Sequence, residues 1–195
     1  MGYSIESNSS NCYPNSTCLI NKFNIKDDKI LSKIEAEITL AKAAILEFEP
    51  LKQPLNFKYY KDIHRYLFED LYEWAGTLRT VNISKKGTNF CPVIDLEFLC
   101  DACFQHLENT NFFSGLSKSQ FIYEIVDFYC DTNFLHPFRE GNGRVQRIFI
   151  SKLIKNNGYK FNFSNIDSDF LMFATIQSSI GVKDYLLQIF NNEIK

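Results

Sequence analysis

Two apolar helical stretches of this chain are joined by HPFREGNG, residues 136–143, and that junction restricts the fold more than any other segment. The stretch before it opens on Ser117 and Gln120 at capping-box spacing and carries Phe121, Ile122, Ile125, Val126, Phe128 and Tyr129 to an end near Asn133. The stretch after it runs from about Arg144 to Asn157 and stops at Gly158, a residue suited to a left-handed helix end. Gly141, Asn142 and Gly143 therefore stand where the second helix presents its first N–H groups without internal acceptors. Glycines there let a ligand approach the backbone.

The rest of the chain reads as more helices around this pair. Asp27 can cap a helix whose Ile30, Leu31, Ile34, Ile38, Ala41 and Ile45 recur at helical spacing, with Pro50 just past its end. Glu35 lies at the edge of that apolar stripe. A second helix is expected over about 56–75, with Ile63, Leu67, Leu71 and Trp74 on one face and Gly76 as terminator. Residues 77–91 change period: Val81 and Ile83 alternate with polar neighbours around a Lys85-Lys86-Gly87 turn, a small β-hairpin. Further helices are expected over about 95–109, 167–180 and 182–192. The fold class is all-α with one hairpin. Residues 1–25, polar and without period, read as a loosely attached, disordered arm. A helix over 26–50 and a core of 51–195 complete the division. Phenylalanine, at 19 of 195 residues, makes an aromatic-rich core the expectation.

The junction has the chemistry of a phosphate site. A helix N-terminus favours anions through its open N–H groups and dipole. Arg144 and Arg147, three residues apart, lie on one side of its first turns and suit a polyphosphate. Glu140 places a carboxylate where Mg²⁺ can be held against phosphate oxygens. His136 is the proton acceptor, and Phe138 anchors the loop in the core. His64 and His106 are assigned structural places. A net charge of −2 offers no broad basic field for nucleic acid. No apolar run reaches the length of a membrane span, and the N-terminus does not read as a secretory signal. The six cysteines read as buried thiols of a reducing cytoplasm.

These residues resemble a family. His136 to Arg147, HPFREGNGRVQR, matches the Fic-domain motif HPFx(D/E)GNGRxxR at every specified position. YEWAGTLRTVNISKKGTNF, Tyr72 to Phe90, is similar to the segment that closes one Fic helix and forms the target-docking flap. The resemblance implies a Fic-type helical bundle and AMPylation: AMP moves from Mg-ATP to a Ser, Thr or Tyr hydroxyl of a protein, the enzyme itself included, and pyrophosphate leaves. It implies His136 as general base, Glu140 as Mg²⁺ ligand, and Gly141, Asn142 and Gly143 as the anion hole. Arg144 and Arg147 would bind the β- and γ-phosphates. Gly143 stands where a kinase branch of the family has Lys, which argues for nucleotidyl transfer. Asn82, Ile83, Ser84, Lys85, Lys86, Gly87, Thr88, Asn89 and Phe90 would be the flap, pairing with an extended target segment. LSKIEAE, Leu31 to Glu37, resembles a degraded autoinhibitory (S/T)xxxE(G/N) motif, with Glu35 as inhibitor and Arg147 as its partner. A nucleotide-binding module without transfer activity is the alternative of another class, against which the intact His136 and Glu140 speak. Removal of AMP and transfer of another phosphate-linked group stay open within enzymes.

Overall fold

Helix α5, Asn142–Asn156, is buried on nearly every side, with Val145, Phe149, Ile150, Leu153 and Ile154 wholly enclosed, as a helix at the centre of a bundle must be. In a computed structural model describing residues 4–5, 11–51, 54–85 and 87–195, the other helices surround it. They are α1 (Asp28–Phe48), α2 (Phe57–Phe68), α3 (Val93–Asn109), α4 (Lys118–Leu135), α6 (Ser168–Ser178) and α7 (Asp184–Glu193). Helices α1, α2 and α4 pack on α5, while α3, α6 and α7 buttress α4. Between α2 and α5 the core is a run of rings: Tyr60, Phe104, Phe128, Phe138 and Phe149 touch edge-on, tilted or stacked. Gln146 ties α5 to α4 by donating to the Tyr129 carbonyl and the Thr132 hydroxyl, each at 2.8 Å. Lys152 donates to the Leu46 and Glu49 carbonyls, closing the C-terminal end of α1 against α5.

The expected caps are present. Asp27 accepts from the Lys29 and Ile30 N–H groups, and Ser117 and Gln120 form a complete capping box. Three expectations are corrected. Helix α2 ends at Phe68, well short of 75, because the chain must turn back for the Gly76 N–H to reach His64. The inward face of α1 is Leu31, Glu35, Thr39 and Leu46, whereas Ile30 and Ile45 are half exposed. Two polar residues lead that face because it meets an arginine of α5. Finally, residues 11–25 are not a loose arm. Cys18 and Leu19 enter the core, Asn21 bonds the Leu19 and Ile25 carbonyls and the Ile25 N–H, and the Lys22 N–H donates to Leu71. Such irregular backbone, satisfied by turns and an Asn side chain, has no period to read. The backbone of β1, Ser4–Ile5, pairs antiparallel with β2, Ile83–Lys85, which pairs in turn with β3, Thr88–Asn89. The remainder of residues 1–10 lies outside the described residues.

Candidate active site

Helix α4 ends on His136, which takes a left-handed backbone, φ 44, a conformation a histidine holds only when its surroundings fix it. Its Nδ1 lies 2.9 Å from the Asn133 carbonyl. A carbonyl only accepts, so the proton sits on Nδ1 and Nε2 is the nitrogen able to take one. Phe90, at the end of the hairpin, stacks on the ring at 3.7 Å.

Arg79, which no sequence motif marks as a site residue, fixes this turn. It is 4% exposed. Nε donates to the His136 carbonyl at 2.9 Å, Nη2 to the Leu135 carbonyl at 3.2 Å and to that of Cys91, and Nη1 to Val81 at 2.9 Å. Its own N–H donates to Pro137. One guanidinium thus joins the end of α4 to both ends of the hairpin. The only signal in sequence was an arginine in otherwise uncharged surroundings, WAGTLRTV.

The other end of the loop faces the start of α5. Phe138 is fully buried against His64 and Tyr60. Asn142 was expected among the phosphate binders, but its side chain turns inward. Oδ1 accepts from the Phe138 N–H at 2.8 Å and Nδ2 donates to the Phe138 carbonyl at 2.7 Å. What Asn142 offers an anion is its main-chain N–H, alongside that of Gly143 in the first turn of α5. Gly141 has φ +79, and a Cβ there would come within 2.2 Å of the Phe68 ring. Gly143 has no such constraint; a Cβ would meet only Arg147 Nη1, at 3.6 Å. Arg147 is exposed. Glu140 folds back, its Oε1 accepting from the Gly141 N–H at 2.9 Å and lying 3.6 Å from Arg144.

Glu35 reaches this site, but through the other arginine. Its Oε1 pairs with Arg144 Nη2 at 2.5 Å, and its Oε2 accepts from the Tyr72 hydroxyl at 2.5 Å. Thr39, one turn along, accepts from Arg144 Nη1 at 2.9 Å, and the guanidinium lies over the Phe68 ring. The expected partner, Arg147, is one turn further along α5, where the inward face of α1 does not meet it. Burial and the neighbouring Glu35 carboxylate push the Tyr72 hydroxyl far above its ordinary range, so it stays a donor.

In the hairpin, Asn82 caps α3 by accepting from the Val93 N–H, Ile83 is buried and Gly87 takes the turn with φ +80. Lys86 lies outside the described residues. With β1 along β2, the edge of β3 away from β2 pairs with no strand among the described residues.

Burial pushes both inner histidines down to about 3. Arg144 adds to the effect on His64, and Lys85 and Arg79 on His136, against hydrogen bonds to the Glu140 and Asn133 carbonyls. In the unfolded chain each titrates near 6.5. Between those values the unfolded state binds protons that the folded state does not, so stability falls as pH drops from about 6.5 toward 3. The full slope is about 1.4 kcal/mol per pH unit for each histidine. Denaturant unfolding between about pH 6.5 and 5 should show His64→Gln with a shallower loss than the parent. Equal slopes would mean that His64 titrates normally in the fold.

The chain is similar to known proteins in sequence and in fold. The Fic/DOC family model matches residues 54–154. "Probable protein adenylyltransferase Fic" of Escherichia coli strain K12 is 34% identical over 182 residues, 93% of this chain and 90% of that protein. "Protein adenylyltransferase VbhT" of Bartonella schoenbuchensis is 30% identical, over 89% of this chain and 36% of its own length. Among solved structures, the BepC protein of Bartonella tribocorum with bound AMPPNP superposes with a TM-score of 0.87 at 27% identity, covering 95% of this chain and 96% of that one. An N-terminal Fic domain from Bartonella quintana with bound ADP gives 0.88 at 28% identity, covering 95% and 94%.

Proposed function

The chain belongs to the Fic/DOC family, and from that premise we propose that it is a protein adenylyltransferase that moves AMP from Mg-ATP to a Ser, Thr or Tyr hydroxyl of a protein, itself included. One observation carries the reading. A neutral imidazole with a proton-accepting nitrogen and a helix N-terminus with two arginines are held at the two ends of one eight-residue loop, 136–143.

In the step, the target hydroxyl gives its proton to His136 Nε2 as its oxygen attacks the α-phosphorus. The bond between that phosphorus and the bridging oxygen breaks, pyrophosphate leaves, and AMP remains on the target oxygen. The main-chain N–H groups at the start of α5 receive phosphate oxygens, and Arg144 and Arg147 receive the outer phosphates. Among the described residues there is no cluster of three or more His, Cys, Asp or Glu that could cage a metal ion. Glu140 supplies one carboxylate at the helix mouth, which fits Mg²⁺ held jointly with phosphate oxygens. That ion would offset phosphate charge, and Glu140 would turn from the Gly141 N–H to hold it. The edge of β3 away from β2, unpaired among the described residues, leads into Phe90 and so to His136, which favours that edge for an extended target segment.

Incubation with ATP labelled at the α-phosphate is expected to label protein, and ATP labelled at the γ-phosphate is not. The reverse pattern would make the protein a kinase, and nucleotide binding without label would make it a regulatory module.

The contacts of Glu35 support a role other than the brake its sequence surroundings suggest. The carboxylate, Thr39 and the Phe68 face hold Arg144 in one place, and Arg147 is left exposed. A guanidinium already ordered loses less freedom when phosphate arrives. Glu35→Ala is therefore expected to lower transfer about tenfold, the ordering of one long side chain, chiefly through KM for ATP. Faster transfer in that variant would restore the inhibitory role, acting through Arg144.

A further inference from the structure

His64 reads from sequence as a structural residue, yet both of its ring nitrogens are committed, and one of them acts on the loop. The Gly76 N–H approaches Nδ1 at 2.8 Å. A backbone N–H can only donate, so Nδ1 carries no proton and the neutral ring keeps it on Nε2. Nε2 lies 3.1 Å from the Glu140 carbonyl and donates to it. The ring is wholly buried, stacked on Phe138 at 3.9 Å and Phe68 at 4.7 Å. It has no freedom to turn away.

That bond sets the direction of a peptide. A trans peptide is planar, with its C=O and N–H pointing opposite ways. Holding the Glu140 carbonyl toward the core therefore aims the Gly141 N–H away from it. The position is rigid from below as well, since a Cβ on Gly141 would strike Phe68, the ring that flanks His64. The Gly141 N–H meets an anion there already: the Glu140 carboxylate at 2.9 Å, itself 3.6 Å from Arg144. A carboxylate oxygen between a main-chain N–H and a guanidinium sits as a phosphate oxygen would.

We propose that His64 is a positioning residue of the nucleotide site: by fixing the Glu140–Gly141 peptide it presents the Gly141 N–H to phosphate, and the Glu140 carboxylate is the internal anion that Mg-nucleotide displaces from it. The inference rests on the reading of residues 140–147 as the nucleotide-phosphate site, and binding tests it independently of transfer.

Two substitutions separate the two nitrogens. In His64→Gln the side-chain amide reaches the place of Nε2 and keeps the donor to Glu140. In His64→Asn it reaches only the place of Nδ1 and keeps the partner of Gly76. Calorimetric titration with Mg-ADP, below the melting temperature of each variant, should find His64→Asn weaker by about tenfold or more and His64→Gln close to the parent. Equal affinity in the two variants would overturn the proposal, because a merely structural histidine would change stability without separating them. The parent chain provides a measurement that needs no variant to fold. The Gly141 amide resonance should shift on saturation with Mg-ADP, as its acceptor changes from carboxylate to phosphate. A Gly141 amide unmoved by saturating Mg-ADP would refute the proposal. A parent that binds Mg-ADP but transfers no AMP would sink the transferase reading and leave this one to be judged on binding.

Discussion

Alanine at His136 is expected to lower AMP transfer by about 10²- to 10⁴-fold, the range over which a positioned base acts, with Mg-ATP still bound. The separation follows from the loop. The imidazole belongs to the end of α4, whereas the N–H groups and arginines belong to α5, so removing one leaves the other standing. Backbone strain has to be controlled, because His136 holds φ 44 and alanine dislikes that region. Asparagine tolerates it but cannot serve as base near neutral pH. His136→Asn should therefore match His136→Ala in transfer and exceed it in melting temperature. Because burial holds His136 neutral down to about 3, kcat/KM of the parent should show no acid limb from it near 6.5. Single-turnover transfer from α-labelled ATP measures all of this. Persistence of transfer in both variants would remove the base assignment.

What the sequence disclosed of this site was whatever lies consecutively along the chain. His136, Glu140, the glycines and the two arginines fall within twelve residues, so their order alone could be read against the needs of a phosphate hole. The residues that set their geometry come from far off. Glu35 is 109 positions from Arg144, Arg79 is 57 from His136 and His64 is 76 from Glu140. Spacing along a helix says which face a residue shares, not which turn of another helix it meets, so Glu35 was given Arg147 when α1 delivers it to Arg144. The same limit explains α1 itself. An apolar stripe through Ile30 and Ile45 was the stronger periodic signal, but the face that packs carries Glu35 and Thr39, whose burial depends on a cation from α5. Helix existence was legible because caps and period are local. The end of α2 was not, because the turn at 69–76 is held by His64.

Methionine in place of Arg79 should produce the largest loss of stability of any single change near the site, about 3–5 kcal/mol. The guanidinium serves the carbonyls of Leu135, His136, Val81 and Cys91. An apolar side chain of similar length fills the space but strands these acceptors, and each buried unsatisfied group costs about 1–3 kcal/mol unless water reaches it. The melting temperature should fall by roughly 6–20 °C, at about 2–4 °C per kcal/mol for a chain of this size. Lysine should recover little, since one ammonium cannot span carbonyls that a planar fork reaches together. The kinetic consequence should also be selective. Arg79 holds the turn at His136 and both ends of the hairpin, through the carbonyls of Val81, Cys91, Leu135, His136 and Pro137, whereas the nucleotide site lies at residues 140–147 beyond that turn. Assayed below its melting temperature, Arg79→Met should thus lose kcat for transfer while keeping its affinity for Mg-ADP. Equal losses in both would mean that α4 and α5 respond to this residue as one body, and that the two ends of the loop are not separately positioned.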